Sequence, residues 1–345
     1  MVKDKCIYGS RIRQARELNG ITQIDLANRI GVKQGAISQI EKDDFQPSEE
    51  ILKSIASETG FLPNFFYSEP VGEFPEGSLS FRKRSSITAR EETKAYRYAQ
   101  IIYEQIAKML PKVSNVPTRK LPKLIGEKPD LSSKVTRSNL GIPPDVSIGN
   151  LVSLIENSGV FVFTLPIILP KIDAFSTWAS LDIERPIIAV SSGKPMDRMR
   201  FSIAHELGHL VMHYPNNYPI KIAENQADEF ASSFLLPEKA MFAELTPPIT
   251  LTSVARLKTR WGVSMQAIIR RAKNLKIITE RQYKYLFTQL SAHGWMKREP
   301  ANLDVKIETP QLVRAIIEYV YKSPTDYALD MGMTMARATE FYVYA

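Results

Sequence analysis

His205 and His209 stand four residues apart in FSIAHELGHLVMH, with Glu206 directly after the first of them. On a helix, side chains four apart share a face, so both imidazoles can reach one ion. Glu206 then sits beside that ion, placed to act on a water bound to it. The H-E-x-x-H order therefore points to metal-assisted hydrolysis, with zinc as the ion that best suits it. Only four histidines occur in the chain, so their clustering carries information.

A catalytic zinc takes three protein ligands and keeps one position open. The acidic stretch AENQADEFASSFLLP offers the third. Glu224 and Asp228 are four apart and share a face, while Ala227, Phe230, Ala231 and Phe234 form the packing stripe. Glu224 lies fifteen residues after His209, enough for a turn and an antiparallel return, and is assigned as the third ligand. Asp228 is expected to accept the outer N–H of a ligating histidine and fix its tautomer. Glu229 is the competing ligand. His213 continues the four-residue series, but a rise of about 1.5 Å per residue puts it roughly 12 Å from His205, too far for the same ion. It is expected to cap or pack at the helix end. In such a site Glu206 takes the proton from the water and passes it to the leaving amine. Tyr214, Arg198 and Arg200 are nearby candidates for stabilising the oxyanion, none favoured over the others. One Zn2+ per chain fits best, with manganese or iron as alternatives.

A second constellation lies near the start of the chain. RIRQARELNG has apolar spacing suited to a helix stopped by Gly20. Thr22 can cap the next helix, QIDLANRI, which Gly31 ends. A third helix follows from about Gln34 to Asp43, with Ala36, Ile37 and Ile40 inward. Helix, short glycine turn, helix is the helix-turn-helix arrangement. Residues able to read bases are then Lys33, Gln34, Gly35, Ser38 and Gln39, with Gln23 opening the second helix. Arg16 either adds charge or pairs with Glu41.

Length and composition set the frame. A chain of 345 residues with 44% hydrophobic and 24% charged residues suggests two or three domains with real cores. The longest apolar run, roughly residues 160–170, is short and broken by prolines, so no membrane span is expected. The absence of a signal-like N-terminus and the single cysteine, Cys6, fit the cytoplasm. The net charge of +8 is concentrated in residues 251–300, which hold eleven bases against two acids. There Arg270, Arg271 and Lys273, following Gly262, form a candidate second basic surface for nucleic acid or an acidic partner. Residues 68–86, rich in Gly, Pro and Ser, read as a linker. A long helix from about Thr88 to Leu110 follows, then a proline-studded connection, a helix from about Ser147, and strands VFVFTLP, FSTWASL and PIIAVSS.

On these motifs the chain resembles two known families. Residues 9–67, GSRIRQARELNGITQIDLANRIGVKQGAISQIEK included, resemble an XRE-type, lambda-repressor-like helix-turn-helix. Residues from about 147 to 240 resemble the ImmA/IrrE metallopeptidases through RPIIAVSS, FSIAHELGHLVMH and ENQADEFASSFLLP. RWGVSMQAIIRRAKNLKIITERQYKYL and GWMKREP are similar to that family's C-terminal extension. The resemblance implies an α+β, mostly α chain with four parts. These are a helix-turn-helix domain at 1–67, a linker and connecting helix at 68–146, a zincin-like domain with a small sheet at 147–245, and a basic helical region at 246–345. It implies His205, His209 and Glu224 as ligands and Glu206 as general base. The family often has Asn where this chain has Asp228. It further implies a double-stranded DNA operator, a repressor-type protein as substrate, and a homodimer on paired half-sites. A helix-turn-helix in the same chain allows the peptidase to be brought to an operator, to repress its own gene, or to cut itself in the 68–86 linker. Two other readings stand beside this one. In the first, the peptidase fold only senses or binds a partner; in the second, the chain is an antitoxin-like repressor.

Overall fold

The computed structural model describes residues 6–70, 88–117, 120–166, 173–179, 185–214 and 218–345. The chain begins with four short helices, α1 (Gly9–Leu18), α2 (Gln23–Ile30), α3 (Gln34–Glu41) and α4 (Glu49–Thr59). Local chemistry sets their ends. Thr22 accepts from the Asp25 N–H while the Asp25 carboxylate accepts from the Thr22 N–H, a capping box that starts α2. Gly31 ends it in the left-handed conformation, φ 73°, where a side chain would be strained. The third helix stops at Glu41, two residues before the expected end, and Ala36 is half-buried while Ile37 and Ile40 are in the core. Arg16 does pair with Glu41, its Nε 2.5 Å from Oε1, a buried bridge from α1 to α3. A 3-10 turn at Pro63–Tyr67 closes this unit with Phe61, Phe65 and Phe66, the first two stacked at 4.0 Å.

The long helix α5 (Ala89–Met109) starts at a Thr88–Glu91 capping box and is largely buried. It is no mere spacer: Arg11 and Gln14 of α1 reach its Glu104, and its Arg97 pairs with Glu17 at 2.7 Å. Between the proline-rich stretch and the next expected helix lies α6 (Pro129–Asn139), which no motif announces, although Pro129 suits its first turn. Then come α7 (Leu151–Glu156), β1 (Phe161–Leu165), β2 (Ala174–Ala179) and β3 (Arg185–Ser191). The sheet order is β1-β3-β2, with β1 parallel and β2 antiparallel to β3. Both faces are covered, which explains the unbroken apolar runs. Phe161, Phe163, Phe175, Ile187 and Ala189 enter one core with α1 and α5, while Val162, Ala174, Ile188 and Val190 enter a second.

That second core belongs to α8 (Met196–Met212), α9 (Ile220–Leu235), α10 (Glu238–Glu244), α11 (Leu251–Trp261), α12 (Met265–Asn274) and α13 (Glu280–Ala292). Gly262, φ 65°, turns the chain from α11 to α12. Of the bases in the expected basic stretch, Lys258 and Arg271 are buried, where charges need partners, while Arg270 stays exposed. Lys258 is buried between Asp197 and Glu299, Arg271 is buried and donates to the Leu236 carbonyl, and Lys273 pairs with Glu280.

The final helices, α14 (Leu312–Val320), α15 (Pro324–Asp330) and α16 (Met335–Tyr344), return to the first core. Leu62 N–H donates to the Gly332 carbonyl at 2.8 Å, and Phe61 bridges to Met333. Two glutamates lock this return reciprocally. Glu308 accepts from the Leu151 and Val152 N–H groups at the start of α7, and Glu156 at its end accepts from Gln311 and Leu312. The whole is mostly helical with one small sheet. Among the described residues no helix is long and apolar enough to cross a membrane. Positions 71–87, most of the expected linker, lie outside the described residues.

Candidate metal centre

Ile203, Ala204, Leu207, Leu210 and Val211 bury α8 nearly all round, so its polar groups sit in the protein interior. His205, Glu206, His209 and His213 are only 4–7% exposed. Polar groups that deeply placed need partners. Gly208 lets α9 come close, since a Cβ there would meet the Phe230 side chain at 3.0–3.3 Å. The approach brings three ligand atoms together. His205 Nε2 and His209 Nε2 are 3.1 Å apart, and the Glu224 carboxylate is 3.6 Å from the first and 3.3 Å from the second. Ligands held about 2.0–2.1 Å from a tetrahedral ion are separated by roughly 3.3 Å, so this donor set fits a divalent cation. Among the described residues these three form the group able to hold a metal. Glu229, the competitor, is exposed on α9 and outside this group.

The outer nitrogens are occupied as well. His205 Nδ1 lies 2.8 Å from Asp228 Oδ1, the contact expected of Asp228. His209 Nδ1 faces His213 Nδ1 at 2.9 Å, and His213 Nε2 faces Gln226 Oε1 at 2.9 Å. His213 does occupy the C-cap of α8, yet its ring is also joined to His209. Burial alone would push the His205 pKa down, but the Asp228 and Glu224 carboxylates outweigh it and hold it at about 9 without an ion. Burial works against the charged Glu224, and hydrogen bonds from His205 and His209 reverse this, holding its carboxyl far below the usual range. Burial lowers His213 to about 4, so its ring is neutral at pH 7.

Glu206 is fixed from the sheet. The Ser176 hydroxyl on β2 donates to Glu206 Oε2 at 2.7 Å. Trp178, two residues on and on the same face of the strand, donates from Nε1 to the Leu210 carbonyl and stacks on Tyr214.

Among the N-terminal helices, Lys33, Gln34, Gly35 and Gln39 are exposed at or near the start of α3, and Ser38 is half-buried. Gln34 Nε2 donates to Gln23 Oε1 at 2.8 Å, and Gln23 Nε2 donates to Glu41 at 2.7 Å. The amide of Gln23 is thus held in place before any ligand arrives. A Cβ at Gly35 would meet nothing within 4 Å, leaving room for close approach.

Residues 155–273 match the family model described as IrrE N-terminal-like domain, Peptidase_M78. Residues 12–63 match a helix-turn-helix model. The chain joins these two domains. No curated protein matches it significantly. A crystal structure of Bacillus thuringiensis PlcR in complex with the peptide PapR7 and DNA aligns over 84% of this chain and 97% of that one, at 13% identity and a TM-score of 0.17. A superposition that poor bears on neither fold nor function.

Within the IrrE-like domain the candidates for the oxyanion separate. Arg200 is buried in an ion pair with Glu308 and donates to the Ile148 carbonyl, so it holds the fold together. Arg198 is bound to Asp173 at 2.7 Å. Tyr214 is engaged with Trp178 but partly open. Ser176 and Gln226 are the site neighbours that sequence reasoning did not place, and His213, expected at the helix end, has an unforeseen contact with His209. A hydroxyl among apolar neighbours on a strand and a third histidine at four-residue spacing were the available signals.

Proposed function

We propose that this chain is a DNA-binding transcriptional regulator whose IrrE-like domain is a zinc-dependent endopeptidase acting in the cytoplasm. The observation that carries this reading is the convergence of His205 Nε2, His209 Nε2 and the Glu224 carboxylate within 3.1–3.6 Å, beside a buried Glu206. A divalent cation bound there supplies Lewis acidity that acidifies water and polarises a carbonyl. His205 and His209 would hold it through Nε2, with Glu224 completing the set. Asp228 accepts the His205 Nδ1–H and keeps that ring's lone pair turned inward. Glu206 receives the proton of the attacking water and returns it to the leaving amine. Ser176 holds the Glu206 carboxylate in one rotamer meanwhile. The substrate class is a repressor-type protein, or this chain itself within 68–86.

The helix-turn-helix domain recognises a double-stranded operator through Gln23, Lys33, Gln34, Gly35, Ser38 and Gln39. A dimer then spans half-sites about 34 Å apart. The core shared by α1, α5 and β1 favours a second reading, in which the metal domain senses or binds a partner and alters DNA binding without cleavage.

One experiment separates the two. Zinc content is measured in wild type, His209→Ala and Glu206→Gln, alongside expression from the bound operator. About one zinc per wild-type chain, lost in His209→Ala, supports the site. Loss of switching in Glu206→Gln with zinc retained supports cleavage, and unchanged switching supports the sensor. A folded wild type that takes up no zinc overturns both.

A further inference from the structure

His213 lies outside the three-ligand set, and its place at the end of α8 does not account for what its ring touches. Its Nδ1 is 2.9 Å from His209 Nδ1, and its Nε2 is 2.9 Å from Gln226 Oε1. Its ring also meets the Tyr218 ring edge-on at 5.0 Å. A helix-end packing role explains the burial. It does not explain two nitrogens at hydrogen-bond distance, an approach that requires one to carry a proton and the other to be bare.

The tautomers follow from the inside outward. His209 Nε2 faces His205 Nε2 at 3.1 Å and Glu224 at 3.3 Å, so a ligating His209 must have that nitrogen bare. A neutral imidazole then carries its proton on Nδ1, the atom that faces His213. His213 can accept that proton at Nδ1 only if its own proton is on Nε2, and there it meets the Gln226 oxygen as a donor should. One assignment satisfies all three contacts. Resting on the metal-site reading above, we propose that His213 is a positioning residue for His209, fixing its tautomer and ring plane, with Gln226 fixing His213 in turn. The two histidine ligands are therefore unequal: His205 is backed by the carboxylate of Asp228, His209 by a neutral ring.

The test uses the full chain and the metal alone. Zinc affinity is measured by competition with a chromophoric chelator, and the visible spectrum of the cobalt-loaded protein reports ligand geometry. His213→Phe keeps a ring beside Tyr218 and removes the acceptor, whereas His213→Asn puts an amide oxygen where Nδ1 stood. Removal of such a partner costs about 10- to 100-fold in affinity, so His213→Phe is expected to bind zinc that much more weakly and to show a changed cobalt spectrum. His213→Asn is expected to recover to within about threefold of wild type, and the partly exposed Gln226→Leu to lose a smaller factor in the same direction. Melting of the metal-free proteins controls for folding, and should His213→Phe fail to fold, His213→Asn against Gln226→Leu decides. Equal affinities and spectra in wild type and His213→Phe, or an Asn variant as weak as the Phe variant, overturn the proposal while leaving the metal site standing. A wild type that binds no zinc overturns the function proposed above and this inference with it.

Discussion

Arg337 donates from Nη2 to the Thr59 carbonyl at 3.0 Å and to Asn19 Oδ1 at 2.6 Å, with its guanidinium over the Phe61 ring. One side chain of α16 thus closes the ends of α1 and α4 in the helix-turn-helix domain, 318 and 278 residues away in sequence. Replacing it with Met keeps the stem over Phe61 and strips Asn19 Oδ1 of its donor, while the Thr59 carbonyl keeps only the Asn19 amide at 3.0 Å. A loss of about 1–3 kcal/mol is expected, felt first in the DNA-reading half. Hydrogen exchange should show weaker protection across residues 55–61 and little change in 203–212; unchanged exchange at 55–61 would remove the clamp from the account.

Glu206→Gln keeps an acceptor for the Ser176 hydroxyl and loses the base. Zinc uptake should stay at the wild-type level while cleavage falls by about 10²- to 10⁴-fold, read by mass spectrometry on a repressor-type substrate. Ser176→Ala leaves the base and frees its rotamer, so an intermediate loss of about tenfold is expected. Zinc lost in either variant would contradict the separation of binding from proton transfer.

Much of this arrangement was legible before any coordinates. The H-E-x-x-H pair and the glutamate-to-aspartate step of 224 and 228 are local spacings, and helical geometry alone puts their side chains on one face. The Thr22 cap was readable for the same reason. Ser176 was not: only the packing of β2, paired antiparallel to β3, against α8 brings it to Glu206. Arg200 looked free to meet a substrate because its partner, Glu308, lies 108 residues on. The burial of Lys258 and Arg271 was hidden for a like reason, since Asp197 and the Leu236 carbonyl arrive from outside that stretch.

Burial raises the Glu156 carboxyl to about 6 from 4.5, against the pull of the Leu312 and Gln311 N–H groups it caps. A carboxyl raised on folding favours the folded state fully below its unfolded pKa. That contribution, about 2 kcal/mol, is lost as pH climbs from 4.5 through 6. Glu156→Gln keeps an acceptor for the same donors and does not titrate. Relative to this variant, wild type should lose stability between pH 4.5 and 6.5 in urea melts; parallel curves would show that the group is not perturbed.

Lys33 caps α3 with its side chain exposed. If it meets phosphate, Lys33→Ala should weaken binding to any duplex alike and reduce the salt slope of the affinity by about one. Gln39→Ala should instead lose about 1–3 kcal/mol of discrimination at a base position, measured by binding to a panel of operator variants. A Lys33 effect confined to one sequence would reverse these roles.

Ile187 and Ile188 are neighbours on β3, yet one belongs to the core shared with α1, α4, α5 and the final helices and the other to the core around the candidate metal centre. A wall shared in this way ties the fates of the two halves. Heated, the chain should melt in one calorimetric transition with no step between the halves. Expressed from residue 147 onward, the chain should keep α14 and α16 against β1 but lose the cover of α1 and α5, leaving the first core half-built and prone to clump, so that the candidate metal centre is not inherited without the scaffold of the first helices.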